Sequence, residues 1–73
     1  MTSALLARVG KALYGPRWQT DIARALGVSD RQVRRWASGD APVPAHATGE
    51  LVRLCRVRSV DLAKLAGEIE RKT

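Results

Sequence analysis

Apolar residues recur along this chain at spacings of three and four, the period of an amphipathic helix, and nowhere alternate with period two. Leu5, Leu6, Val9, Ala12 and Leu13 form a first stripe. Thr2 or Ser3 ahead of it can cap the helix by accepting from first-turn amides. Gly15 and Pro16 end it. A second helix, from 18 or 19 to 26, turns Ile22, Ala23 and Leu26 inward, with Trp18 as the staple at its start. Gly27 stops that helix in the left-handed conformation, and Val28 pins the turn. Ser29 caps a third helix over about 30–37, whose inner face is Val33, Trp36 and Ala37. Gly39 ends it, residues 40–44 form a stiff connector, and Pro44 suits the first position of the next helix.

From Ala45 onward, Leu51, Cys55, Leu62, Leu65 and Ile69 share one helical face, with Arg58 in the same row. The segment is either one long helix or two that break near 58–60, with Ser59 capping the second. No glycine or proline marks that break, which favours continuity, and the end at 71–73 is expected to fray. Cys55, among leucines and valines, reads as a buried packing cysteine. The architecture that follows is all-α: one compact domain, 1–73, of four or five helices.

A chain of 73 residues buries only about 60–65% of its unfolded surface. It has no room for both a core and a large enclosed pocket. One cysteine and one histidine exclude a disulfide framework and a metal-ligand set, so no cofactor is expected. The few carboxylates are scattered, which argues against an enzyme. No apolar run is long enough to span a membrane, and the first helix, interrupted by Arg8, lacks a cleavage-like sequel. A cytoplasmic protein is expected.

The formal net charge is +6. It is uneven: residues 17–39 carry five arginines against Asp21 and Asp30, whereas residues 59–73 sum to zero. Clustered positive charge attracts a polyanion by releasing its counterions. The stretch from Gln19 to Gly39 gives that charge a shape. A helix fits the major groove of B-form DNA if a second helix clamps its back across a short turn. Ile22, Ala23, Leu26, Val28, Val33 and Trp36 supply the clamp. Asp30, Arg31, Gln32, Arg34 and Arg35 are left protruding. Arg31 suits a bidentate contact to guanine, and Arg35 a base or a phosphate. Arg34 suits a phosphate, or an ion pair with Asp30 one turn earlier. Asp30 either works in the groove or merely favours the positive helix end. Arg17 and Lys11, outside the segment, suit phosphates. Trp18 and Trp36 belong to the core, and His46 to the surface. Exposed aromatic platforms for RNA are lacking in the pattern.

The spacing of Gln19, Ala23, Gly27, Val33 and Gly39, with Val28 and Ser29 between, resembles the helix-turn-helix of the Cro and lambda-repressor-like family, also called the Xre family. The match is close over 21 residues and loose over about 60. Trp36 departs from it, since that family often has an aliphatic residue there. The resemblance implies a helix-turn-helix over 19–38 in a lambda-repressor-like domain. It implies that Gln19 holds a phosphate, that Asp30, Arg31 and Arg35 reach bases, and that Ser29 and Gln32 meet the backbone. Arg17 and Arg34 join the backbone set by their charge.

One reading helix touches few base pairs, and a dimer gains by reading two half-sites. The stripe Leu51, Cys55, Leu62, Leu65 and Ile69 is longer than a core of this size covers. A homodimer through about 45–71 is therefore expected, the alternative being a fold-back onto the first helix. The leading function is a sequence-specific double-stranded DNA-binding regulator of phage or bacterial type. It would act as a dimeric repressor on a palindromic operator near its own gene. The alternative is an antitoxin-like or adaptor module that grips another protein and also binds DNA.

Overall fold

The computed structural model describes residues 1–72, with four α-helices and no strand among them: α1 (Ser3–Tyr14), α2 (Trp18–Leu26), α3 (Asp30–Ser38) and α4 (Ala45–Lys72). Thr2 caps α1, its hydroxyl accepting from the Leu5 amide at 3.0 Å. Ser3 acts over a longer range, since its hydroxyl donates to the Trp36 carbonyl at 2.8 Å and ties the start of α1 to the end of α3. Gly27 and Gly39 close α2 and α3 with φ of 70° and 86°, backbone that side chains rarely tolerate.

α1 lies at the centre and packs against the other three helices. Its buried face is narrower than the apolar stripe suggested. Leu6, Gly10 and Leu13 are buried, Val9 is half-buried, and Leu5 and Ala12 are exposed. Gly10 explains the choice of face. A Cβ at that position would lie 2.3 Å from Cε3 of Trp18, so the indole rests on bare backbone. Trp18 is the first residue of α2, and this contact sets how close α1 and α2 come.

Leu6, Trp18, Ile22, Ala23, Val33, Trp36, Ala47 and Leu51 form one buried cluster drawn from all four helices. The expected inward positions of α2 and α3 are there, with Leu26, Val28 and Ala37 packed at its edge. The Trp36 indole N–H is buried without a hydrogen-bond partner. Such a group costs about 1–3 kcal/mol, which the burial of the ring must offset.

α4 is one unbroken helix through the region of the suspected break. It starts one residue after Pro44, whose carbonyl accepts from the Thr48 amide (3.1 Å) and hydroxyl (3.3 Å). Glu50 pairs with Arg53, and that hydrogen bond holds the Glu50 carboxyl below its ordinary value. Arg58 donates to the Leu13 carbonyl at 3.1 Å and lies 5.9 Å from the Tyr14 ring centre, so it satisfies a carbonyl at the end of α1. Arg71 and Lys72 remain helical, and Thr73 lies outside the described residues.

Two sequence expectations change here. Leu51 is 1% exposed and belongs to the monomer's core, so it is not part of a free stripe. Cys55 is exposed rather than buried. α1 still runs beside α4 at Cys55, which lies in an open crease with Leu5, Val9 and Ala12 rather than in the core. α1 has 12 residues and α4 has 28, so α4 continues alone only beyond Arg58, which bonds the Leu13 carbonyl at the end of α1. The molecule measures 49 × 22 × 21 Å, a compact head with a projecting helix.

Gly10→Ala should destabilise the head by about 1–3 kcal/mol through overpacking, outweighing the better helix propensity of alanine. Urea unfolding reads this, and an unchanged midpoint would mean that the indole can move aside.

Candidate nucleic-acid interface

α3 exists because Ser29 caps it and Gly39 releases it. The Ser29 hydroxyl accepts from the Gln32 amide at 3.1 Å, with Asp30 adding negative charge to the first turn. Val33 and Trp36 bury one side of the helix. The opposite side carries Arg31, Arg34 and Arg35, all exposed. None of the three makes an ion pair or a side-chain hydrogen bond among the described residues. In particular, no ion pair joins Asp30 to Arg34. Of the other arginines, Arg24 pairs with Asp21 at 3.9 Å, Arg53 with Glu50 and Arg58 with the Leu13 carbonyl, whereas Arg8, Arg17 and Arg56 make no such contact among the described residues.

Asp30 has a partner that the sequence did not suggest. It is half-buried, and its Oδ2 accepts from the Thr20 hydroxyl at 3.3 Å. Thr20 is the third residue of α2 and Asp30 the first of α3, so this bond brings the N-terminal turns of both helices together. Each helix N-terminus carries partial positive charge from unpaired amides, a setting that favours phosphate oxygens. Arg17, exposed at the start of α2, and Gln19, half-buried in its first turn, lie on this side.

The arrangement gathers Arg17, Gln19, Ser29, Asp30, Arg31, Gln32, Arg34 and Arg35 onto two helices joined by one turn. Their availability differs. The Ser29 hydroxyl is spent on the cap, and one oxygen of Asp30 on Thr20. Gln32 is half-buried, whereas Arg17 and the three α3 arginines are open to solvent. Lys11 belongs elsewhere: it lines the crease between α1 and α4 beside Leu5, Arg8 and Cys55. The residue missed is Thr20. Nothing local marks a threonine ten positions before an aspartate as its partner, because the turn that joins them has to form first. No group of residues among those described could hold a metal ion.

Ser29→Ala should cost about 1 kcal/mol of stability by removing the cap. Thermal unfolding checks it. A loss within error would mean that the Ser29 carbonyl, which accepts from the Gln32 and Val33 amides, holds the helix start alone.

Over the whole chain, no family model, curated protein or solved structure matches, so what this face does has to be read from its own residues.

Proposed function

We propose that this chain is a sequence-specific double-stranded DNA-binding regulator that presents α3 to the major groove, in the manner of the Cro and lambda-repressor-like family. The observation that carries the reading is the row of three exposed, unpaired arginines on a helix whose other side is locked into the core. A helix so held can enter a groove without losing its own packing. An α-helix with its side chains is about 10–12 Å across, which a groove roughly 12 Å wide admits.

In this reading Arg31 and Arg35, one turn apart, reach base edges, with Asp30 beside them. Arg34, Arg17, Gln19, Ser29 and Gln32 address the phosphate backbone. Asp30 bonds Thr20 and makes no ion pair with Arg34, which leaves that guanidinium for a phosphate. The expected action is repression: a dimer seated on promoter DNA, close to its own gene, excludes polymerase. A second reading, a module that grips a different protein, draws on the exposed apolar residues of α4.

The test is an anisotropy titration against the DNA upstream of the gene, with random competitor, at two salt concentrations. Preference for the upstream DNA supports specific binding, and equal affinity for both would overturn it. Arg31→Ala should cost about 1–3 kcal/mol on the preferred site and relax discrimination at one base pair. Equal losses on both DNAs would demote Arg31 to a phosphate contact. Arg17→Ala should weaken both and reduce the salt slope by about one unit. An unchanged slope would remove Arg17 from the contact surface.

A further inference from the structure

The face of α4 that packs on α1 does not stop where α1 stops. Ala47 and Leu51 are buried in the head, Leu54 is half-buried, and Arg58 reaches back to the Leu13 carbonyl. Leu62, Leu65 and Ile69 continue the same face at 57%, 53% and 65% exposure. From Cys55 the row advances by three and four in turn: 55, 58, 62, 65, 69. That is the spacing a two-helix coiled-coil seam uses, with Leu62, Leu65 and Ile69 as its apolar positions. Arg58 sits within the row and keeps its charge, but its guanidinium is drawn toward the end of α1 by the Leu13 carbonyl and the Tyr14 ring. A helical segment of this length without tertiary contacts is marginal in water, so the far half of α4 needs a cover.

We propose that the cover is the α4 of a second copy, running antiparallel, with the two-fold axis between Leu62 and Leu65. Each Leu62 then meets the other copy's Leu65. Each Ile69 comes level with the other copy's Arg58 and enters an open crease of about 310 Å³ where α1 ends, lined by Ala12, Leu13, Cys55, Arg58, Ser59 and Leu62. Charge at this contact is mixed: Glu68 and Glu70 flank Ile69, while Arg71 and Lys72 come level with Arg56 and Cys55, where Arg8 and Lys11 border the crease. A parallel, in-register pair would stack like against like along its whole length and bring the two heads to the same end.

Antiparallel pairing also sets a distance. Leu51, the last fully buried residue of the head, lies twelve and a half residues from the axis. At about 1.5 Å per residue the two Leu51 positions are then about 37 Å apart along the paired helices. Half-sites one turn of DNA apart are roughly 34–36 Å from centre to centre. This last step rests on the DNA-binding reading, whereas the pairing itself does not.

The test uses the full chain without DNA. Light scattering at micromolar concentration should give twice the monomer mass. Leu65→Glu should weaken dimerisation by about a hundredfold or more, with the unfolding of the head retained because Leu65 is exposed. Cys55, the chain's one cysteine, should not cross-link to its counterpart under mild oxidation. The two cysteines would lie about 25 Å apart, far beyond disulfide reach. In a Cys55→Ser background, a spin label at Arg56→Cys should report a distance of about 20–30 Å. A monomeric mass, a Cys55 cross-link, a label distance near 10 Å, or a dimer that survives Leu65→Glu would each overturn the pairing. Arg31→Ala, tested alongside, should leave the mass unchanged, so failure of the pairing and failure of the DNA reading show in different measurements.

Discussion

Everything in the head depends on how closely α1 and α2 approach, and that is decided where the Trp18 indole lies on the backbone of Gly10. The contact is steric before it is anything else. With no Cβ in the way, the ring occupies the space a side chain on Gly10 would take, and Ile22 and Ala23 follow it inward on the next turn. α3 is then placed by α2 through the turn at Gly27 and the Thr20–Asp30 bond, and held at its far end by Ser3 donating to Trp36. The orientation of the arginine face is therefore inherited from a glycine some twenty residues earlier. It is an indirect dependence: Gly10 touches none of the residues whose direction it sets.

Much of this was legible in the sequence because it is local. Caps, left-handed glycines and three-four spacing act over a single turn, and they locate α1, α2, α3 and the start of α4 to within a residue. The inward set of α2 and α3 follows for the same reason, as it is fixed by helix phase. α1 was harder. Leu5, Leu6, Val9, Ala12 and Leu13 make a stripe wider than one neighbour can cover, and periodicity alone does not say which edge is buried. The answer lay in Gly10, a residue without hydropathy to report.

The fate of Cys55 and Leu51 was illegible for a related reason. Both sit on the same apolar face, and pattern treats them alike. One turn of helix separates them, yet Leu51 is in the core and Cys55 lies in the open crease between α4 and α1. Which of the two is covered depends on how α1 lies across α4, and local pattern does not report that. On the candidate interface, the residue types and their shared face were visible in advance. The engagement of Asp30 with Thr20 was not, since it needs two helices already in place. The hydroxyl of Ser29 and the carboxylate of Asp30 are partly committed to holding the fold, which leaves the arginines as the freer part of the surface.

The division between a buried head and an unclothed rod has a consequence for how such a molecule would respond in a cell. A chain that covers its rod with another copy makes its active form by a second-order process. Below the pairing constant, the amount of that form rises with the square of the protein present. Copy number then takes the place of an effector. On the proposed reading, what such a molecule senses is how much of itself has been made.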